Sequence, residues 1–264
     1  MREYFFLASL LPELEIGHVP SLGYEELKEL LRINLSSDDL DKTKEFLRQI
    51  DFENIRAFWA KEPFDPRGNI SYDELEQALI DYSWPDDEAF PYFFTDFLQK
   101  YKSNEDRLAN FQLLLSQFYD YQMEHQEGFL KYYFEFQKKW RLVILGYRAK
   151  VLEKDVAKEL QYEDVTEPFV AEILAQKDAK VYEPPFEYKD LKPVFEAHKE
   201  NPLELHKALY EYQFNHMIEI WGGDLFTIDR MLNYMARLII VERWNELDIQ
   251  KGIELINQIE RNVQ

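Results

Sequence analysis

The middle of the chain carries apolar side chains at spacings of three and four residues, the repeat of an α-helix. One stripe consists of Phe129, Tyr133, Phe136, Trp140, Val143, Tyr147 and Val151. A similar stripe upstream consists of Leu108, Phe111, Leu115 and Phe118. Together they predict one very long helix from about Asn104 to Glu153, bent near Gly128 and weak at Gly146. Such a helix would extend roughly 75 Å.

Residue pairs that favour helix starts support the same structural class. The capping pairs are Ser71 with Glu74, Ser103 with Asp106, and Asn201 with Glu204, the last with Pro202 in its first turn. We expect a helix from the Asn201 cap to about Ile220. Gly222 and Gly223 should end this helix.

Two more helices are predicted in the C-terminal part of the chain. No strand is predicted anywhere in the sequence. Thr227 and Asp229 begin a helical stretch to about Leu247, and a last helix is expected from about Ile249. Strand signals are weak, because no clean apolar/polar alternation occurs beside Asn-Gly or Asp-Gly. Gly and Pro are also scarce, at 8 and 11 residues, which disfavours turn-rich β folds. The predicted fold class is therefore all-α and multi-helical.

Composition excludes several kinds of partner and site. The 31 Lys and Arg against 51 Asp and Glu give a formal net charge of −20, which repels phosphate backbones and anionic headgroups, so nucleic acid is disfavoured. The chain has no cysteine, which removes disulfides and thiolate chemistry and fits a cytoplasmic location. The apolar run 4–11 matches a signal peptide only weakly. No uninterrupted apolar stretch of about 18 residues occurs, so direct membrane insertion is not expected.

A short internal similarity predicts two related helical units. Pro, Tyr, Leu and Lys recur at matching positions in segments 20–28 and 184–192. Chance is an equally good explanation, since Leu, Lys and acidic residues are abundant. If the repeat is real, the protein is elongated, with two similar helical units joined by a long helix. The segments would be an N-terminal helical unit at 1–104, a long connecting helix at 105–154 and a C-terminal helical unit at 155–264.

No catalytic, cofactor-binding or metal-binding residue is assigned from the sequence. Segment 63–74 has the length of an EF-hand loop, but Pro63 and Arg67 stand where calcium needs oxygen ligands. We interpret this segment as a loop entering a capped helix. His216 and Glu219 have the spacing of helical di-iron sites, but the motif has no second copy. Serine-nucleophile, P-loop and dinucleotide-binding motifs are also missing, so no enzyme activity and no cofactor are predicted.

Aromatic residues make up 16% of the chain, and most of them are expected in the core. One cluster, formed by Tyr132, Tyr133, Phe134 and Phe136, covers more than one face of its helix. Some of these side chains should therefore face a second element or a partner, because Tyr, Trp and Phe are enriched in interface cores. The sequence does not determine which residues would form a partner interface, so these residues are unknown. The basic cluster of Lys138, Lys139 and Arg141 is interpreted as a solvated helix face.

Four segments of the chain resemble a bacterial family whose members are encoded among the components of vacuolar/archaeal-type (V/A-type) rotary ATPases. They are Tyr4–Pro12, Trp140–Arg148, Tyr182–Lys192 and Glu242–Gly252. The resemblance extends over the whole chain through loose motifs. Such operons lack an obvious gene for the C/d component of the central stalk, which is all-helical, funnel-shaped and built from repeated helical units. The chain is similar to this V-type ATPase component in class and size.

This resemblance implies a non-catalytic protein that connects the central shaft to the membrane proteolipid ring. Its partners would be the proteins of that shaft and ring, and its location would be cytoplasmic, peripheral to the inner membrane through protein partners. It would transmit torque as a rigid helical body during ion transport. The alternative is a helical adaptor, or an enzyme of unrecognised type. An enzyme would need a pocket with converging polar groups, a feature that only a structure reveals.

Overall fold

A computed structural model describes residues 4–81, 90–220 and 226–263 of the chain. Within these ranges the protein is helical and has no strand, which confirms the predicted all-α class. The α-helices are α1 (Phe5–Leu10), α2 (Tyr24–Asn34), α3 (Ser37–Ala60), α4 (Tyr72–Asp81), α5 (Tyr92–Lys100), α6 (Asn104–Ala109), α7 (Phe111–His125), α8 (Gly128–Val151), α9 (Val156–Glu159), α10 (Pro168–Leu174), α11 (Leu191–His198), α12 (Pro202–Ile220) and α13 (Ile228–Val263). A 3₁₀ helix spans Phe186–Tyr188. None of the helices in the described ranges is long and apolar enough to cross a bilayer.

Polar caps begin the helices where the sequence predicted them. The capping hydrogen bonds join Ser71 to Glu74, Ser103 to Asp106 and Asn201 to Glu204. For example, the Ser103 Oγ accepts the backbone N–H of Asp106 at 3.0 Å, which satisfies a donor that has no partner inside the helix. α12 reaches Ile220, the last residue described before the gap at 221–225, so its predicted end stays a prediction. Gly222 and Gly223 lie outside the described residues.

The single long helix predicted from about Asn104 to Glu153 is wrong, because this segment forms α6, α7 and α8. The two residues between α7 and α8 are extended. Gly128 then has a φ of +56°, a left-handed value that glycine adopts at little cost. The chain turns back here, and α7 packs against α8. Burying two apolar faces against each other outweighs continuing one helix, whereas Gly146 interrupts nothing.

The last two predicted helices, at 227–247 and from about Ile249, are one helix. α13 runs from Ile228 to Val263 without interruption. The chain has no proline after Pro202, so no residue in this stretch both removes a backbone donor and blocks the helix. The start predicted at Thr227 is confirmed, since its carbonyl accepts the first backbone hydrogen bonds of α13.

Residue contacts divide the chain into two compact units. The terminal unit contains the residues up to Leu40 and those from Tyr188 onward, so both ends of the chain contribute to it. The central unit is Asp41–Glu187 and contains most of α3 together with α4 to α10. The domain boundaries given from the sequence, after residues 104 and 154, stay a prediction, and so does the internal repeat.

Aromatic side chains form the core of the central unit, as the stripes predicted. Phe52 in α3 is fully buried. Its ring centroid lies 5.5 Å from that of Phe90, 5.8 Å from Phe94 and 4.4 Å from Phe118. Phe118 in α7 also lies 5.6 Å from Phe134 in α8. Each such pair adds about 0.5–1.5 kcal/mol to the effect of burial, so these contacts stabilise the α7–α8 hairpin.

Hydrogen bonds in the terminal unit join helices from the two ends of the chain. Glu242 in α13 accepts the backbone N–H of Tyr24, the first residue of α2, at 2.8 Å. Asn233 in α13 is fully buried, and its Nδ2 donates to the carbonyl of Met217 in the last turn of α12 at 2.7 Å. The first bond satisfies a backbone donor that α2 leaves unpaired at its start. Both bonds hold α13 against α2 and α12.

Candidate functional site

A pocket in the terminal unit lies between α1, the segment that follows α1, and the first turns of α13. Its volume is about 450 Å³, within the range of about 300–1,000 Å³ that is typical of small-molecule sites. Polar residues on its walls include Glu13, Arg230, Tyr234 and Arg237. Most of the other lining residues are apolar, so the pocket has a few converging polar groups on an apolar background.

Helix geometry and one backbone contact build this pocket. Arg230, Tyr234 and Arg237 share one face of α13, because spacings of four and three residues return to the same side of a helix. The backbone N–H of Tyr4 donates to the carbonyl of Phe226 at 2.6 Å. This bond places the start of α1 beside the start of α13, so that the two elements enclose the pocket.

Arg237 brings a buried positive charge to the pocket. It is 8% exposed, and its Nε donates to Asn233 Oδ1 at 3.1 Å. Its guanidinium carbon lies 5.8 Å from the ring centroid of Tyr234 and 5.9 Å from that of Phe214. Burial, followed by repulsion from Arg230, lowers the pKa of Arg237 to about 10. A bound anion would stabilise this charge.

Tyr234 brings a hydroxyl without a partner. The side chain is 3% exposed, and its buried oxygen forms no hydrogen bond within the described parts of the chain. Burial raises the pKa of Tyr234 to about 12, so the hydroxyl keeps its proton at neutral pH. A buried polar group left unpaired costs about 1–3 kcal/mol. An acceptor atom of a ligand would supply the missing hydrogen bond.

A second polar cluster, in the central unit, is satisfied by the protein itself. Asp51 Oδ1 accepts the backbone N–H groups of Asn69 at 2.7 Å and Ile70 at 3.2 Å, and its Oδ2 accepts the Asn69 side-chain amide at 2.7 Å. A Cβ on Gly68 would lie 2.7 Å from Asp51 Oδ1, so only glycine permits this approach. Burial raises the pKa of Asp51 to about 6, although the hydrogen bonds lower it. The cluster fixes loop 63–74 to α3 and confirms that this segment enters a capped helix.

The interpretation of the basic cluster in α8 as a solvated helix face is wrong. Lys138 is 6% exposed, and its Nζ lies 2.7 Å from Asp120. Burial opposes its charge, but the hydrogen bond to Asp120 and the charges of Asp120, Glu167 and Glu163 together outweigh that effect and raise the pKa of Lys138. Arg141 forms an ion pair with the buried Glu163. Acidic partners thus allow these cations to lie inside the central unit, and the cluster offers no open cationic surface.

The remaining candidates from the sequence do not form a site. Three members of the aromatic cluster are buried, namely Tyr133, Phe134 and Phe136. Tyr133 lies 4.7 Å from Phe46 of α3, so this face meets a second element, whereas Tyr132 is 58% exposed. No group of three or more metal-ligating side chains occurs in the parts of the chain that the structure describes, which include His216 and Glu219.

The polar residues of the pocket were not predicted from the sequence. A helix was predicted here from its start at Thr227 and Asp229, but the polar side chains of Arg230, Tyr234 and Arg237 were not considered as a group. A usable signal was present: neither arginine has an acidic residue three or four positions away in a chain rich in acid. Such spacing would have provided the usual helical ion pair.

The fold and the pocket define an all-helical protein with two compact units and a cationic pocket in one of them. The chain belongs to the family described as "Protein of unknown function (DUF2764)", which matches residues 1–263. Similar proteins occur in Chlamydia pneumoniae (37% identical over 264 residues), Chlamydia muridarum (33% over 264) and Chlamydia trachomatis (32% over 265). Each alignment covers 100% of this chain and 99% of the relative. No solved structure matches the chain.

Proposed function

We propose that the protein is a non-catalytic component of the central stalk of a V/A-type rotary ATPase, similar to the C/d component. It connects the central shaft to the membrane proteolipid ring and transmits torque between them during ion transport. Its place is the cytoplasmic side of the inner membrane, where protein partners hold it. The resemblance of its sequence motifs and its all-helical fold support this proposal. The elongated arrangement of two similar helical units belongs to the same proposal.

The observation that carries the proposal is the exposure of large aromatic side chains in each unit. In the terminal unit, Phe5 and Phe6 of α1 are 54% and 66% exposed. In the central unit, Tyr132 and Phe186 are 58% and 74% exposed. Aromatic residues are enriched in the interfaces that partners cover, so exposed aromatic side chains favour such surfaces. A connector needs surfaces of this kind for more than one partner.

The net charge favours protein partners over lipid. A charge of −20 is repelled by anionic headgroups, because the cytoplasmic leaflet has a negative surface potential. A protein with this charge stays at the membrane more readily through contacts with a membrane-embedded protein ring. The exposed aromatic side chains supply apolar area for such contacts.

Co-expression with the neighbouring ATPase proteins, followed by pull-down at modest salt, tests this function. We expect the chain to recover central-shaft and proteolipid proteins. Phe6→Ser and Phe186→Ser each remove an exposed ring without changing the core, and each should lower recovery about tenfold if its ring lies in an interface core. Val19→Ser is the matched control, since Val19 is 87% exposed and lies outside the helices. Recovery of no ATPase component by the unchanged chain would contradict the proposal.

The pocket favours a second candidate function, that of a ligand-binding adaptor or an enzyme. Functional sites combine a concave surface with groups whose pKa is displaced, and Arg237 in the pocket has a lowered pKa. The two candidates differ in their requirements. An adaptor or enzyme of this kind binds a ligand in the terminal unit and does not require the rotor proteins, so the pull-down and a ligand titration together separate them.

A further inference from the structure

Two arginines line the pocket and neither forms an ion pair with a described residue, although acidic residues outnumber basic ones by 20. Two of the other buried arginines, Arg48 and Arg67, have acidic partners, and Arg67 lies 2.7 Å from Asp65. A third, Arg107, instead donates to the carbonyl of Tyr101 and to Asn104. Within the described ranges, Arg230 and Arg237 form no ion pair. Because Arg230 and Arg237 lack an ion pair in a chain so rich in acidic residues, we infer that they form a site for an external anion.

Arg237 and Tyr234 both bring hydrogen-bond donors that the described residues leave unused. The bond from Nε to Asn233 holds the guanidinium in place, and its other nitrogens form no hydrogen bond to the described residues. The unpartnered hydroxyl belongs to the neighbouring Tyr234, whose ring centroid lies 5.8 Å from the guanidinium carbon. A planar guanidinium beside a hydroxyl suits the two oxygen acceptors of a carboxylate.

The charge of the pocket favours a monoanion. Arg230 and Arg237 each contribute one positive charge, and Glu13 on the opposite wall contributes one negative charge that acts on Arg237. The pocket therefore has a single positive charge in excess. A carboxylate neutralises this excess, whereas a phosphate dianion leaves a negative charge close to Glu13.

The rest of the pocket accommodates an apolar group. Phe5 and Phe226 pack with ring centroids 4.3 Å apart at the wall, and Leu14 and Met231 add aliphatic surface. We propose that this pocket binds an organic monocarboxylate with an apolar body, its carboxylate at Arg237 and Tyr234. This proposal does not depend on a role in the rotary ATPase.

Isothermal titration of the full chain with octanoate and with 3-phenylpropionate tests the proposal. The matched controls are octanamide, which lacks the charge, and octyl phosphate at mildly alkaline pH, which carries a second charge. We expect at least one of the carboxylates to bind with a dissociation constant in the millimolar range or below. Octanamide should bind at least about tenfold more weakly than octanoate, the effect of losing one charged hydrogen bond.

Single substitutions assign the binding to this pocket. Arg237→Gln and Arg230→Gln should weaken octanoate binding about 10- to 100-fold, because each removes a charged donor. Tyr234→Phe should weaken it about 3- to 10-fold by removing a neutral donor, while octanamide binding changes less. Arg148→Gln, at an exposed position of α8 in the central unit, is the matched control and should leave affinity unchanged. Arg237→Gln changes a buried side chain and could lower stability. Arg230 is half-buried, so Arg230→Gln should disturb the fold less and still tests binding in the pocket.

Glu13→Gln tests the charge argument separately. The variant raises the positive excess of the pocket by one, so octyl phosphate should gain more affinity than octanoate. Equal affinity for octanoate and octanamide would overturn the proposal, as would octanoate binding unaffected by Arg230→Gln and Tyr234→Phe. Failure of both carboxylates to bind at millimolar concentration would overturn it as well. None of these results alters the expected pull-down of ATPase proteins, so the two proposals fail independently.

Discussion

Two buried tyrosines in the terminal unit differ in what their hydroxyls contact. The Tyr4 hydroxyl donates to Asp39, whereas the Tyr234 hydroxyl has no partner among the described residues. Tyr4→Phe should lower the free energy of unfolding by about 1.5–3 kcal/mol, because it removes a hydrogen bond to a charged group. Tyr234→Phe should leave that free energy unchanged or raise it by about 1 kcal/mol, because it removes a polar group that is already unpaired. Urea unfolding of both variants measures the contrast, and equal losses would contradict it.

Titration of the buried Asp51 carboxyl should make the free energy of unfolding depend on pH. Burial raises the pKa of this carboxyl from 3.8 to about 6, so the folded protein holds the proton more tightly than the unfolded chain does. The stability that this proton contributes is fully present below about pH 3.8 and is lost as the pH rises through about 6. The loss amounts to about 3 kcal/mol at most.

The variant Asp51→Asn isolates this effect, because its side chain does not titrate. The unfolding free energy of the unchanged chain, minus that of the variant, should fall between about pH 4 and pH 6. The variant also loses a hydrogen-bond acceptor towards Asn69, but that cost does not depend on pH. Asp178→Asn, at an exposed position, is the control and should show no such trend. A difference that grows with pH over this range would refute the assignment.

Helical periodicity in the sequence predicts one wall of the pocket but not the other. Helical spacing places Arg230, Tyr234 and Arg237 on one face of α13, and the sequence contains that information. The opposing wall comes from α1 and the residues after it, at the other end of the chain. Nothing local brings these two segments together, because the contact joins residues far apart in the sequence. It includes the backbone hydrogen bond between Tyr4 and Phe226 and the packing of Phe5 against Phe226.

At the scale of single elements, Gly128 determines whether α7 and α8 form a hairpin. Its φ of +56° costs an L-residue about 1–2 kcal/mol. Gly128→Ala should therefore lower the free energy of unfolding by about that amount, and Gly128→Asn should lower it less, because asparagine tolerates left-handed backbone. Chemical denaturation of the two variants measures the order. An alanine variant as stable as the unchanged chain would indicate that α7 and α8 form one continuous helix in solution.

The ends of helices were predictable where a local interaction determines them. The capping side chains of Ser71, Ser103 and Asn201 lie within three residues of the backbone groups that they satisfy. The α7–α8 hairpin and the uninterrupted α13 were not predictable in this way. Both depend on how apolar faces pack against distant elements, and the same stripes fit one long helix or two antiparallel ones.

At the scale of the whole molecule, composition and periodicity predicted the all-α class, but not the way in which the chain divides. The residues at both ends join in one compact unit, while Asp41–Glu187 forms the other. Pairing of the two ends is a tertiary property, because it arises from contacts such as that of Glu242 with Tyr24. Each unit exposes aromatic side chains, which is the feature that the proposed connector would use.

The central claim is that this protein couples the shaft of a rotary ATPase to its membrane ring. ATP-driven ion transport by vesicles that contain the ATPase complex, assembled with and without the protein, tests the claim most directly. We predict that the complex without the protein still hydrolyses ATP but transports no ions, and that adding the protein restores transport. Transport at the full rate in its absence would contradict the claim.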